Sequence, residues 1–192
     1  MQGEGGARLN AKESGANEPA PNGSSAPPPR SRAPYVVLTA LTFCVYALDQ
    51  ASKAWAVATL SDLPPRPLLG DFLRLELIRN AGAAFSLGTG NTWLLTLLAV
   101  AVLVVIIRSS RRLGSLGWAC AFGLILGGAL GNLTDRLSRE PGFGRGHVVD
   151  FLDYNGWFIG NAADIAIVAA AVLIVILSVR GIGIDGRRDG QP

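Results

Sequence analysis

The stretch NAADIAIVAAAVLIVIL, from Asn161 to Leu177, is strongly apolar and yet contains one carboxylate, Asp164. Extended to Val179, the stretch has about the length that a helix needs to cross a bilayer. A charged side chain at the centre of a bilayer costs at least about 2.5–3.5 kcal/mol, so an ionisable residue here calls for a reason. Because Asp164 lies near the start of the stretch, we expect it at the membrane boundary.

The composition of the whole chain is that of a membrane protein. Of its 192 residues, 49% are hydrophobic and 16% are charged, whereas a soluble domain usually carries about 25% charged residues. Three further apolar stretches occupy residues 35–60, 92–107 and 116–132. Together with the opening stretch they predict an all-α polytopic membrane protein with four transmembrane helices.

The residues that commonly build metal sites and disulfides are scarce. Cys44 and Cys120 each lie inside an apolar stretch, and His147 is the only histidine. A disulfide framework or a zinc site is therefore not expected, and we expect no cofactor. The net charge of +3 is too small to indicate nucleic acid as a partner.

The distribution of proline, glycine and arginine predicts three regions. Residues 1–33 are predicted to be a disordered cytoplasmic tail rich in Pro, Gly and Ser, residues 34–180 the membrane domain, and residues 181–192 a cytoplasmic C-terminal tail. The first apolar stretch is interpreted as an uncleaved span rather than a signal peptide. By the positive-inside tendency, both termini and the loop between spans two and three are cytoplasmic, since that loop carries Arg108, Arg111 and Arg112.

The loop between the first two spans contains a β-type pattern. In FLRLELIR (72–79), leucines alternate with charged residues, which predicts a short strand. The preceding DLPPRP (62–67) is typical of a turn or an extended linker. This loop and residues 136–159 are both expected to face outward.

The polar residues of the spans fall near this same outer boundary. Asp49 and Lys53 are one helical turn apart, and either a structural ion pair or a part of a site fits them equally well. Asp135 with Arg136 is interpreted as an interfacial charge cluster. Asp153 and His147 are interpreted as ordinary loop residues, with Asp153 solvated.

Span three also carries glycines at four-residue spacing. Gly123, Gly127 and Gly131 form one strip, and Gly128 begins a second strip through Asn132 and Arg136. Small residues at this spacing let helix backbones approach closely in lipid, so we interpret the glycines as packing residues.

Asp150 and Asp164 are the best candidates for a working pair. Asp150 lies in the apolar sequence HVVDFL, just before the last span. Two carboxyl groups in one poorly solvated site share a proton, because like-charge repulsion and desolvation raise one pKa. The ionised group can then take a proton from water while the other donates one, which is peptide hydrolysis without a metal or a Ser or Cys nucleophile. No G-x-S-x-G motif is present to compete with this reading.

Five motifs, in order, resemble those of the lipoprotein signal peptidase (signal peptidase II) family. They are DQASK (49–53), NAGAAFSLG (80–88), GGALGNLTDR (127–136), VVDF (148–151) and NAAD (161–164). The resemblance covers about residues 36–180. It implies a membrane aspartyl endopeptidase that cleaves diacylglyceryl-modified prolipoproteins on the N-terminal side of the lipidated cysteine. The implied fold has four transmembrane helices, with a small external β-cradle and an amphipathic segment between the first two.

The resemblance also implies which residues act. Asp150 and Asp164 would be catalytic, while the substrate-binding or supporting residues would be Asp49, Lys53, Asn80, Gly82, Gly128, Asn132, Arg136 and Asn161. The partners would be lipid-modified prolipoproteins and membrane lipids, for a monomer in the bacterial cytoplasmic membrane with its site near the outer face.

The chain departs from the family pattern at two places. Gly160 stands where the family has a phenylalanine, and the loop 137–146 is longer. The alternative to an enzyme is a small ion- or proton-coupled transporter, since polar residues within spans also line transport pathways. Transporters usually have internal repeats and midplane polar groups, and neither pattern is evident here. A noncatalytic scaffold would leave Asp150 and Asp164 without a role.

Overall fold

The computed structural model describes residues 31–82 and 92–188, which form four helices and four short strands. The helices are α1 (Ala33–Leu60), α2 (Thr92–Ser110), α3 (Leu116–Ser138) and α4 (Ala162–Val179). All four are long and apolar enough to cross a membrane, which confirms the predicted spans. Most of the predicted N-terminal tail and the motif residues 83–88 lie outside the described residues.

Helix α3 is the central helix and contacts each of the other three. A Cβ atom on Gly127 would lie 2.6 Å from Val45 Cβ and 2.8 Å from the Thr42 carbonyl oxygen, both on α1. Gly123 and Gly131 face α1 in the same way. The predicted glycine strip is therefore a close contact between two helix backbones.

The strands form one antiparallel sheet in the order β1–β2–β3–β4, made of Arg66–Leu69, Leu73–Asn80, Val148–Asp153 and Ile159–Gly160. Strand β2 confirms the strand predicted in FLRLELIR. The interpretation of Asp153 as a loop residue was wrong, because it lies in β3 and pairs with Arg74. Asp150 lies in the same strand and pairs with Ile78.

The sheet is fixed to the helices through the C-terminal end of α1. Ala56 and Leu60 of that helix pack with Val149 and Phe151 of β3 in a buried apolar cluster. Trp55 adds an edge-to-face contact with the Phe151 ring, at a centroid distance of 6.3 Å. Because Asp150 lies between these two strand residues, the cluster holds its backbone next to the helices.

The C-terminal segment after α4, described as far as Arg188, contacts the turn before α3. Its residue Ile184 accepts hydrogen bonds from the N–H groups of Gly114 and Ser115, in the turn before α3. Trp118 Nε1 donates to the Ile182 carbonyl at 2.7 Å. The segment that the sequence indicated only as a tail therefore packs on the α2–α3 turn.

Candidate active site

Asp150 is a buried carboxylate held by two amides. It lies in the middle of β3 and is 3% exposed. Asn161 Nδ2 donates to its Oδ1 at 2.6 Å, and Asn80 Nδ2 donates to its Oδ2 at 2.7 Å. Burial raises the pKa of Asp150 to about 6, and the charge of Asp164 adds to this, whereas the two amide hydrogen bonds oppose it.

Asp164 lies in the first turn of α4, where it forms a capping box with Asn161. The Asn161 side-chain oxygen accepts from the Asp164 N–H at 3.2 Å, and Asp164 Oδ2 accepts from the Asn161 N–H at 3.0 Å. This reciprocal arrangement satisfies otherwise unpaired donors at a helix start. Asn161 thus contacts both aspartates, donating to one and capping the helix that carries the other.

Asn132 of α3 connects this pair to α1. Its Nδ2 donates to Asp164 Oδ1 at 3.1 Å, while its Oδ1 accepts from Lys53 Nζ at 2.8 Å and from Asn161 Nδ2 at 3.2 Å. Because Lys53 can only donate, it requires the amide oxygen of Asn132 to face it. The amide nitrogen must then point toward Asp164.

Lys53 is the centre of a buried ion cluster. Its Nζ lies 2.8 Å from Asp49 Oδ2 and 3.0 Å from Asp135 Oδ2, and all three side chains are essentially unexposed. Asp135 Oδ1 also pairs with Arg139 Nε at 2.6 Å. Two cations therefore face two carboxylates, which offsets the desolvation of each charge.

The interpretation of Asp135 as part of an interfacial cluster with Arg136 was wrong. Asp135 points inward, to Lys53, because Lys53 and Arg139 supply the countercharges that a buried carboxylate requires. Of the two interpretations of Asp49 and Lys53, the structure shows the ion pair, and it also joins that pair to Asn132.

Asp153 is likewise not solvated. It is 1% exposed and lies 2.9 Å from Arg74 Nη2, and its Oδ1 accepts from the Gly156 N–H at 2.6 Å. The cation across the sheet and the backbone donor compensate for the burial of this carboxylate. His147 lies in the loop before β3, as predicted.

Two glycines of the predicted set support the site through the backbone. The Gly82 N–H donates to Asn80 Oδ1 at 2.7 Å, which directs the Asn80 amide nitrogen to Asp150. Gly82 has a φ of +113°, a conformation that side chains other than glycine rarely adopt. A Cβ atom on Gly128 would lie 2.8 Å from the Ala163 carbonyl oxygen, so this glycine lets α3 approach α4.

The aspartates open into a cavity of about 180 Å³. Its lining includes both aspartates, all three asparagines named above, Gly82 and Arg136. The Nη1 atom of Arg136 is buried and has no hydrogen-bond partner within the part of the chain that the structure describes. A free donor, two carboxylates and a small cavity are thus assembled at one place.

Seven of the ten predicted site residues line this cavity, whereas Asp49, Lys53 and Gly128 do not and instead contact the segments that carry the other site residues. The structure also adds residues that the sequence did not indicate. Asp135 contacts Lys53, and its position one helical turn after Asn132 was the available signal. Phe158 lines the cavity beside Asp164. Nothing in the local sequence GWFIG distinguishes that phenylalanine from an ordinary interfacial aromatic residue.

Known proteins resemble this chain over most of its length. The family model described as Signal peptidase (SPase) II matches residues 41–180. A lipoprotein signal peptidase of Leifsonia xyli is 51% identical over 154 residues, covering 80% of this chain and 71% of that protein. One from Rhodococcus jostii is 46% identical over 174 residues, covering 91% of this chain and 88% of that protein.

The fold also matches a solved bacterial membrane enzyme structure, determined by the in meso method at 1.9 Å resolution. The TM-score is 0.65 at 26% identity, covering 76% of this chain and 94% of that one. None of these relatives supports the transporter alternative. The family match and the relatives together show that the chain belongs to the signal peptidase II family.

Proposed function

We propose that this protein is a membrane aspartyl endopeptidase that removes signal peptides from lipid-modified prolipoproteins. Its relatives are named lipoprotein signal peptidases, and the substrate class follows from that name. The observation that best supports an aspartyl mechanism is that Asn161 contacts both aspartates. Its side chain donates to Asp150 and caps the turn that holds Asp164, so both carboxylates face one cavity.

The chemistry uses one proton shared by the two aspartates. The ionised carboxylate takes a proton from water as the water oxygen attacks the scissile carbonyl carbon. The protonated carboxyl donates its proton to the carbonyl oxygen, which gives a neutral tetrahedral diol. When the diol collapses, the C–N bond breaks, the leaving amine takes a proton from one carboxyl group, and a diol hydroxyl gives its proton to the other carboxylate, so the dyad again holds one proton. The pKa of about 6 means that Asp150 holds a proton more readily than an ordinary aspartate does.

Arg136 is the cationic side chain among the described residues that line the cavity. Its guanidinium group interacts electrostatically with Asp150, Asp135 and Asp164. In the proposed complex the buried Nη1 donates to a backbone carbonyl of the substrate and orients the peptide. Asn80, Asn132 and Asn161 keep the two carboxylates in place, and Asp49, Lys53, Gly82 and Gly128 support those asparagines.

The proposed arrangement in the membrane follows from the arginine distribution. Both termini and the α2–α3 turn are cytoplasmic, and the site lies near the outer face of the bacterial cytoplasmic membrane. The four-stranded sheet would form a cradle outside the bilayer, with an amphipathic segment between α1 and α2 on its surface. Residues 1–33 and 181–192 would flank the membrane domain as cytoplasmic tails, and the protein would act as a monomer.

The proposal is tested by incubating the purified protein with a diacylglyceryl-modified prolipoprotein and with the same polypeptide lacking the lipid. We expect cleavage of the modified substrate alone, directly before the lipidated cysteine, as shown by the product masses. Addition of a metal chelator should leave the rate unchanged. Cleavage of both substrates at equal rates would contradict the proposed substrate class.

A further inference from the structure

Phe158 separates the catalytic cavity from its surroundings on one side. Its ring stacks on Tyr154, with centroids 6.1 Å apart and planes inclined by 28°. The ring also lies against Gly160, where a Cβ atom would be 2.6 Å from Phe158 Cε1 and 2.8 Å from Asp164 Oδ2. A side chain at position 160 would therefore displace the ring. The glycine at 160 allows Phe158 to lie beside Asp164.

A second cavity, of about 460 Å³, begins on the other side of the same ring and forms an apolar groove along α4. It shares Phe158, Asn161 and Asp164 with the catalytic cavity. Beyond the shared residues, its lining is Tyr154, Ile165, Val168 and Ala169. The last three of these are exposed on a helix that is apolar enough to cross a membrane, so the groove opens sideways toward lipid.

A third cavity leaves the site in a different direction and has a different character. It lies on the β2 side of Asp150, and its lining includes Arg79, Asn80 and Trp157. A cationic side chain and an amide make that cavity unsuited to a hydrocarbon chain. Among the described residues that line the α4 groove, the charged side chain is that of Asp164, at the inner end.

We infer that the α4 groove binds an acyl chain of the substrate's lipidated cysteine, and that Phe158 divides this lipid subsite from the scissile bond. This inference rests on the proposed function. The cysteine directly follows the scissile bond, so its lipid lies within a few bonds of the dyad, and the groove begins at Asp164 of that dyad. From Asp164 to Ala169 the groove follows α4 for about 7.5 Å, which is room for the first several methylene groups of an acyl chain.

The test compares two lipopeptides of one sequence, whose diacylglyceryl groups carry either palmitoyl or acetyl chains. Ala169→Trp fills the groove from an exposed position outside the catalytic cavity. Ala171→Trp is the matched control, because Ala171 is an exposed alanine of the same helix that does not line the groove. We expect Ala169→Trp to lower kcat/KM about tenfold for the palmitoyl substrate and less than about twofold for the acetyl one, whose chains are too short to reach Ala169. Ala171→Trp should change neither value.

Other occupants of the groove would give other results. If it bound an apolar side chain of the signal peptide, Ala169→Trp would slow both substrates equally, and no effect on either would mean that only bilayer lipid occupies it. Both results would overturn the inference while leaving wild-type cleavage intact. Failure of the wild-type protein to cleave either lipopeptide would instead contradict the proposed function, and the inference with it. Val168→Trp also fills the groove and is measured in parallel with the same two substrates, so it replaces Ala169→Trp in the comparison if that variant is unstable.

Discussion

Asp135 accepts a 3.1 Å hydrogen bond from the backbone N–H of Val149, the residue directly before Asp150. Asp49 has the same relationship to the other aspartate, because it accepts a 3.1 Å hydrogen bond from the N–H of Ala163, directly before Asp164. Lys53 lies between Asp49 and Asp135 and pairs with both. One buried ion cluster thus fixes the backbone on the N-terminal side of each candidate catalytic residue.

The first prediction concerns Asp135, which we regard as a positioning residue. Asp135→Asn removes one charge from the cluster and weakens its hold on β3, so we expect kcat to fall about tenfold or more with KM little changed. The measurement is steady-state cleavage of a lipidated substrate at equal amounts of folded enzyme.

Asp153→Asn is the matched control for that change. Asp153 is also buried and ion-paired, but it lies in β3 itself and its partner is Arg74, away from the cavity. We expect this variant to lose stability while keeping most of its kcat. Equal losses of kcat in the two variants would show that the effect of Asp135 is general to buried, ion-paired carboxylates of this protein.

The second prediction concerns the two aspartates themselves. Asp150→Asn and Asp164→Asn should each reduce turnover to background, because an amide can act as neither base nor acid, whereas the helix cap and the fold are retained. Cleavage is measured in membranes at equal protein abundance. Asp62→Asn is the control, because Asp62 is exposed and its φ of 59° suits asparagine. Substantial turnover by either dyad variant would remove that residue from the mechanism.

The sequence predicts the spans because they depend on residue type alone, whereas Asn80, Gly82 and Gly128 were implied as site residues only by the resemblance of the motifs. A helix in lipid must be apolar, so polar residues such as Asn132 and Asp164 are conspicuous within it. Strand β3 gave no such signal, since it is buried on both faces and VVDFLD therefore lacks a two-residue alternation. The burial of Asp153 could not be predicted either, because its compensating cation, Arg74, is distant in sequence and becomes a neighbour only when the sheet forms.

The third prediction follows from the pKa of Asp150. The fold raises this pKa from an ordinary value of 3.8 to about 6, so the folded state holds the proton more tightly than the unfolded state does. The resulting stability is complete below the unfolded pKa and is lost as pH rises through the folded pKa. Asp150→Asn does not ionise at this position. Its Tm relative to wild type should therefore increase between pH about 4.5 and about 7.5.

Thermal unfolding of both proteins in one detergent, over a series of pH values, measures this difference. Only the change of the Tm difference with pH is diagnostic, because the substitution also alters two hydrogen bonds at every pH. A difference that stays constant across the series would show that Asp150 titrates in the folded protein as it does in the unfolded one.

The last prediction separates the structural and functional contributions of Asp49 and Lys53. Lys53→Met leaves Asp49 without its cation and should destabilise the protein by about 3–5 kcal/mol. Asp49→Leu should be milder, because Lys53 keeps Asp135 at 3.0 Å. The double variant should recover most of the stability, since Asp135 still pairs with Arg139.

Activity of the double variant should not recover, because Asn132 loses the Lys53 donor and the Ala163 N–H loses its acceptor. The cycle is measured by unfolding in detergent and by cleavage rate, and full activity of the double variant would make the pair purely structural.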